Sequence, residues 1–360
     1  MFYNDNLFDP MGTILDKIDS ILRKSINNKY IFGASLCVES GVESNNNIFY
    51  EGYAGNIDSN TSYFIASTTK IYITALLLKA QTENLINIDD KISEYLSKDI
   101  IENIHIIHGH DYSNLITVKH LMSHTSGIPD YFEEPIYDGI SLHKKLLSGS
   151  DVSWGFEQIV SDIKNVKPKF SPGQTKKALY SDTNYQLLGK ILENIYSDSL
   201  NNIMKNLIFK PLGLNNTYLY HDSSDKKPID IYYKDKQLHI PMAMASFQAD
   251  GGIVSNSKEM MVFLKAFFND YFFSKKMLPK LQKWNAIFFP MQYGAGLMRF
   301  KLPRIFSPFQ ETPEFIGHSG LSGAFAFYNT KKDLYFTGTV NQLTKPGAPF
   351  KLLMKLYSLF

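Results

Sequence analysis

The first clear pattern along the chain is helical. Ile14, Ile18, Ile21, Leu22 and Ile26 recur at three- and four-residue spacing, with Asp16, Lys17, Arg23 and Lys24 between them. That spacing predicts an amphipathic helix over residues 11 to 26, which must lie on an apolar surface. The stretches Tyr30 to Val38 and Asn47 to Gly55 are rich in β-branched and aromatic residues and read as two strands, joined by the polar loop Glu39 to Asn46. A second helix is predicted from about Ser67 to Thr82. Past Lys70 it carries Ile71, Ile73, Ala75, Leu76, Leu77 and Leu78 on every side, so it should be buried all round.

From about residue 85 to 290 the pattern is mainly helical with long polar connections. Lys119 to Ser123, Tyr185 to Tyr196 and Glu259 to Phe268 read as helices, and glycine and proline force turns in His124–Tyr131 and Lys169–Gly173. Strand character returns at 294 to 300, at Gly323 to Asn329 and at Leu334 to Val340. The tail from Pro349 places Leu352, Leu353, Leu356 and Leu359 on one stripe between lysines. A membrane-surface helix has the same signature, but packing on the sheet is the simpler use of such a stripe. Strands at both ends with helices between them predict an α/β (α+β) chain. One antiparallel sheet is built from both chain ends and flanked by terminal helices, with an inserted mainly helical lobe. The expected division is a single domain over 1–360, with a sheet lobe of about 1–66 and 291–360 and a helical lobe of about 67–290. A site would lie in the cleft between them.

Composition narrows the class only a little. The 360 residues are 44% apolar and 20% charged, with a net charge of +2, which fits a soluble globular enzyme and gives no electrostatic reason to expect nucleic acid as a partner. The single cysteine, Cys37, excludes an intrachain disulfide, and its apolar neighbours place it in a buried strand. The first ten residues lack a basic segment followed by an apolar one, and no run of eighteen apolar residues occurs. A cytoplasmic protein with no transmembrane segment is therefore expected; a periplasmic or extracellular one would need a leader outside this sequence.

The candidate chemistry begins at Ser67 and Lys70. Three residues apart at the start of a helix, they emerge on one face of its first turn, where an amine kept neutral by burial can activate a serine hydroxyl. Ser-x-x-Lys recurs at Ser141, Ser161, Ser223, Ser224 and Ser255, but only the pair at Ser67 precedes a long apolar helix. Tyr180, in Tyr180-Ser181-Asp182, could relay a proton, since a phenol titrates near pH ~10 and exchanges readily with a lysine. His318-Ser319-Gly320 is the only His-x-Gly in the chain and opens a predicted strand, where the glycine would let substrate backbone lie close. His105, His108 and His110, in an apparent extra loop over residues 101 to 114, have spacings that could hold a transition metal, but no cysteine or convincing carboxylate accompanies them. Neither a metal nor another cofactor is expected.

Ser67-Thr-Thr-Lys70, Tyr180-Ser-Asp182 and His318-Ser-Gly320, in this order and more than a hundred residues apart, resemble the three motifs of the penicillin-recognising serine hydrolases. The likeness is greatest to the branch of class C β-lactamases, D-Ala-D-Ala carboxypeptidases and related esterases. Leu121–Pro129, Phe170–Gly173, Tyr180–Gly189, Pro211–Leu214 and Gly251–Ser255 resemble that branch as well, and the likeness spans about residues 12 to 345. It implies a β-lactamase-like fold and an acyl-enzyme on Ser67, with Lys70 helping to remove its proton and Tyr180 passing a proton to the leaving group. It also implies an oxyanion hole from the backbone N–H groups of Ser67 and Leu321, and substrate contacts from Asp182, His318, Ser319 and Gly320.

Two positions depart from the family pattern. Asp182 stands where asparagine is usual, and a carboxylate beside Lys70 favours the charged amine. As the residue before a predicted helix, Asp182 also fits the role of a helix cap. His318 stands where lysine is usual, which weakens the grip on a substrate carboxylate at neutral pH. Both departures point to a small-molecule ester or amide as substrate. A β-lactam or a D-amino-acid peptide, handled by a lactamase, a carboxypeptidase or a non-turnover sensor, is the alternative, and acyl transfer would use the same residues. Selectivity is expected from the loops at 101 to 114, 131 to 153 and 286 to 315, and His124 is expected to stabilise its own turn.

Overall fold

The computed structural model describes residues 10–44, 47–136, 138–174, 177–303, 305 and 312–360. The segment read for a leader, the tip of the 39–46 loop and most of 304–311 lie outside these residues.

The larger sheet has eight antiparallel strands. Their order is Asn285–Ala286, Met291–Tyr293, Met298–Lys301, Glu314–Ser319, Ala324–Asn329, Leu334–Thr339, Gly33–Ser40 and Phe49–Gly55. The join between the two chain ends falls at Leu334–Thr339, where Thr337 lies opposite Cys37 and Phe336 opposite Val38. Because side chains alternate across a strand, Gly33–Ser40 serves two cores at once. Leu36 and Val38 face the side covered by the helices Pro10–Ser25 and Ala348–Tyr357, packing with Leu22, Phe325, Phe336 and Leu353. Cys37 faces the other side, in a cluster that runs on into the helical lobe. Both faces are covered, which is why six consecutive residues of this strand are buried.

The helix Thr69–Thr82 runs through the second cluster. All residues from Thr69 to Leu78 are buried, and each of Leu76, Leu77 and Leu78 contributes about 1.5–3 kcal/mol on leaving water. That gain helps to hold the one charged side chain of this stretch, Lys70, inside the protein. The helix does not start at Ser67: a 3-10 turn, Ala66–Thr68, carries the serine and the α-helix follows at Thr69.

The interval from 85 to 290 is less uniformly helical than its pattern predicts. A four-stranded sheet, ordered Tyr218–Leu219, Ile253–Ser255, Ser62–Phe64 and Pro228–Ile229, crosses it, and Ile231–Tyr233 pairs with Lys236–Leu238. Strands of two or three residues are too short to display a period of two, so the pattern could not reveal them. No helix among the described residues is long and apolar enough to cross a membrane.

Candidate active site

Three structural pieces converge on Ser67. The first is its own turn. Ala66 adopts φ +47°, a left-handed conformation that costs a non-glycine residue about 1–3 kcal/mol. Tight neighbours hold it there, because Ile65 donates its N–H to the Ile253 carbonyl and Thr69 Oγ1 accepts from Ile253 N–H.

The second piece is the end of the strand Glu314–Ser319. A Cβ on Gly320 would sit 2.2 Å from the Ile65 carbonyl oxygen and 3.1 Å from the Ala66 Cβ. Only glycine lets this strand end lie against the nucleophile's turn. Ser322 Oγ donates to the Phe64 carbonyl at 2.7 Å, and Gly320 N–H donates to the Ala324 carbonyl at 2.7 Å. Leu321 is thereby held beside Ser67, and both line one cavity. The Ser67 N–H belongs to a first helical turn, whose donors have no intrahelical partner.

The third piece is the start of the helix Asp182–Tyr196, clamped by the turn that begins at His124. His124 Nδ1 accepts the Ser181 backbone N–H at 3.1 Å and lies 3.1 Å from Asn184 Nδ2, while Asp130 Oδ1 accepts the Asp182 N–H at 3.1 Å. The His124 carbonyl accepts the Leu179 N–H, and its ring lies 4.3 Å from that of Tyr180. His124 therefore holds the Tyr180 segment as well as its own turn. Burial, then the charge of Lys70, pushes its imidazole well below the ordinary range, so it is neutral.

Lys70 is fully buried. Its ammonium donates to Ser67 Oγ at 3.1 Å and to the Asp250 carbonyl at 2.6 Å, and forms an ion pair with Asp182 Oδ1 at 2.7 Å. Burial is the largest single influence on the amine and lowers its pKa, but the charges of Asp182, Tyr180 and Asp250 together outweigh it, and the net shift is upward. The sequence set two expectations against each other, an amine made neutral by burial and a carboxylate at Asp182 that favours its charge; the structure puts Asp182 Oδ1 2.7 Å from Lys70, and the charge is favoured. Tyr180 is half-buried, with Lys70 Nζ 5.2 Å from its ring centre. Burial raises the phenol's pKa against the lowering effect of the Lys70 charge, and the net direction is up. Asp182 opens its helix, behind Ser181 as the N-cap, and its side chain turns to Lys70.

His318 lies behind this group. Its ring is fully buried, accepts from the Tyr293 hydroxyl at Nε2 (2.9 Å) and bonds the Ser319 carbonyl at Nδ1 (2.8 Å). Burial, then Lys70, lowers its pKa to about 3. It is a neutral ring that does not line the cavity, whereas its neighbours Ser319 and Gly320 do.

The cavity has a volume of about 540 Å³, and its walls are mostly apolar, with Phe132, Leu146, Met244, Phe247, Phe288 and Met298 among them. The expectation that residues 101 to 114 border it is corrected. That stretch makes its own hairpin, with His105 buried against the Phe170 carbonyl at 3.0 Å while His108 and His110 point to solvent. No group of metal-ligating side chains forms among the described residues. In its place the wall is completed from 231 to 250 and from Leu343 to Phe350. Sequence reasoning also passed over Asp130 and Asp250 as site residues. The available signal was an acidic residue beside the glycine or proline of a matching stretch, Pro129-Asp130 and Asp250-Gly251.

Comparison with known proteins agrees with this architecture. The family model described as Beta-lactamase matches residues 20–354. A putative D-alanyl-D-alanine carboxypeptidase of Salmonella paratyphi B is 33% identical over 162 residues, 44% of this chain and 34% of that protein, so the chain matches about a third of the length of such curated relatives. A D-stereospecific amidohydrolase from Streptomyces sp. superposes with a TM-score of 0.75 at 24% identity, over 91% of this chain and 94% of that one. EstCE1, described as a hydrolase with promiscuous acyltransferase activity, gives 0.77 at 15% identity, over 96% and 99%. At such identities the two structures establish the fold.

Proposed function

The chain belongs to the β-lactamase family, and from that premise we propose that it is a serine hydrolase that forms an acyl-enzyme on Ser67 and cleaves an ester or an amide. The observation that carries this reading is the contact of Lys70 with Ser67 Oγ at 3.1 Å, at the edge of a cavity that the end of Glu314–Ser319 also borders. In the resting arrangement Lys70 donates to Ser67 and cannot take its proton. The 2.7 Å pair with Asp182 offers a way out: one proton passes from the ammonium to the carboxylate, leaving a neutral amine beside a neutral acid. Burial favours such a transfer and the attraction between the two charges opposes it, so the neutral pair is a minor state from which the reaction starts.

The neutral amine then accepts the Ser67 proton as Oγ bonds to the substrate carbonyl carbon. Tyr180 protonates the leaving oxygen or nitrogen as its bond to carbon breaks, and is reprotonated from Lys70. The backbone N–H groups of Ser67 and Leu321 receive the oxyanion, a contribution of about 3 kcal/mol per donor. Water repeats the sequence in reverse, its proton returning to Ser67 Oγ.

Penicillins and peptides with a free C-terminus bring a carboxylate to the site. No lysine or arginine is among the described residues that line the cavity, and His318 is neutral and turned away. A substrate without that carboxylate fits better. The charged resting state of Lys70 also favours a second reading, a protein that acylates and releases slowly. Intact-protein mass spectrometry with p-nitrophenyl butyrate and, separately, penicillin G separates the two. Ester turnover without a lasting adduct, lost in Ser67→Ala, is expected. A persistent penicillin adduct without turnover would favour the sensor, and full activity in Ser67→Ala would remove Ser67 as nucleophile.

A further inference from the structure

Asp250 touches Lys70 through its backbone carbonyl, at 2.6 Å, and its carboxyl group has so far had no task. The residue is only 1% exposed, and the carboxyl is bonded on one oxygen. Oδ2 accepts the Tyr131 hydroxyl at 2.8 Å and the Gln186 amide at 3.0 Å, while Oδ1 is buried without a hydrogen-bond partner. Two donors on one oxygen and none on the other suit a neutral acid, whose carbonyl oxygen does the accepting. Burial, then the charge of Asp182, holds Asp250 well above the usual carboxylate range, in agreement with that pattern.

The two donors come from the two pieces that place Asp182. Gln186 lies four residues after it on Asp182–Tyr196, so both side chains leave the same face of the helix. The Gln186 amide also donates to the Phe247 carbonyl at 2.7 Å. Tyr131 ends the turn that clamps the start of this helix: its N–H donates to Thr183 Oγ1 at 3.0 Å, and Asp130 beside it takes the Asp182 N–H. On the far side, a Cβ on Gly251 would lie 3.6 Å from the Ala66 carbonyl carbon, so the same segment rests against the turn of Ser67.

One residue therefore meets Lys70 with its carbonyl and the Asp182 helix with its carboxyl group. We propose that Asp250 is a positioning residue for the proton transfer between Lys70 and Asp182, joining through Tyr131 and Gln186 the piece that carries one partner to the acceptor that holds the other. The proposal rests on the hydrolase reading above. One proton moves from Lys70 Nζ to Asp182 Oδ1 and later returns; Asp250 exchanges none.

Kinetics of p-nitrophenyl butyrate hydrolysis test it. Asp250→Ala removes the shared acceptor, and at about 1 Å of play between the two pieces kcat should fall on the order of 100-fold. KM should change little, because so buried a side chain has no surface to offer a substrate. Asp250→Asn keeps an accepting oxygen and changes no charge that Lys70 or Asp182 feels. It should recover most of the loss and leave the pH profile of kcat/KM where the parent has it. An asparagine variant no better than alanine, a loss carried by KM, or a profile displaced in Asp250→Asn would each overturn the proposal. If Asp250→Ala does not fold, Tyr131→Phe removes one donor and should lower kcat roughly three- to tenfold; an unchanged kcat overturns the proposal. Loss of turnover in Ser67→Ala reports on the hydrolase reading alone. If the parent cleaves no ester, thermal unfolding decides: residues of one network couple, so Tyr131→Phe should lower Tm less in a Lys70→Met background than in the parent. Equal losses would overturn the link.

Discussion

Replacing Gly320 with alanine should disable the site while leaving the fold standing. The added Cβ would lie 2.2 Å from the Ile65 carbonyl oxygen, an atom of the backbone that cannot swing aside. Ordinary contact is about 3.5 Å, so the strand end and the turn that carries Ser67 must part by roughly 1 Å. Neither side is free to move alone. Gly320 is bonded to Ala324, Ser322 to Phe64, and Ile65 to Ile253. Relief therefore comes at the gap between Leu321 and Ser67, where the two proposed oxyanion donors must converge. A misplacement of about 1 Å costs on the order of 100-fold in rate, and loss of one such donor about 100- to 1,000-fold. The stability cost of overpacking is smaller, about 1–3 kcal/mol, or a few degrees in Tm. Gly320→Ala should thus unfold only slightly earlier by calorimetry, yet hydrolyse p-nitrophenyl butyrate with kcat/KM lowered about 100-fold, mainly through kcat. A variant within threefold of the parent would refute the argument that this close approach sets the site.

Two further outcomes concern charge. Asp182→Asn removes both the main attraction that raises the Lys70 pKa and the carboxylate that takes its proton, so the variant should lose activity at neutral pH and regain it as pH rises, with a loss of stability from the broken pair of about 3–5 kcal/mol; unchanged activity at neutral pH would mean that Asp182 does not take that proton. His318 has a folded pKa of about 3 against about 6.5 when unfolded, so below pH 6.5 the unfolded chain binds a proton that the folded chain refuses. Stability from this group is present above pH 6.5 and lost toward pH 3, at up to about 1.4 kcal/mol per unit. Asp130 and Asp250, raised by burial, act in the opposite sense, so the comparison must be with His318→Gln. The Tm advantage of the parent over that variant should shrink between pH 7 and pH 5, and a constant gap would contradict the neutral, buried ring.

Much of the frame was legible because the long elements have strong periods. The terminal helix predicted over 11 to 26 is Pro10–Ser25, and the strand predicted from Gly323 to Asn329 is Ala324–Asn329. The helix predicted from Tyr185 begins at Asp182, three residues earlier, because the turn at His124 and Asp130 fixes its first N–H groups, and no local pattern records a partner some fifty residues away. Ser67 and Lys70 could be singled out by spacing, and Asp182 marked the charged amine as favoured, but the rest of the amine's surroundings could not be read. One of its hydrogen-bond acceptors, the Asp250 carbonyl, is brought to it from 180 residues further along. His318 was legible as a motif, but its orientation was not. Its Tyr293 partner comes from a short strand two places away in the sheet, whose sequence carries no mark of the contact.

The sheet also imposes an order on the making of the molecule. Ser67 leaves the ribosome well before Leu321 and before the strand Leu334–Thr339, which among the described strands joins Gly33–Ser40 to the rest of the sheet. At about 5–20 residues per second, roughly ten to fifty seconds separate the nucleophile from its second oxyanion donor. Through that interval the nascent chain holds a serine and a lysine in sequence but no assembled centre, so it is chemically silent until the segment around Leu321 has emerged. A frameshift or stop codon anywhere before Leu321 yields an inert chain, and hydrolytic activity becomes a readout of translation through that point.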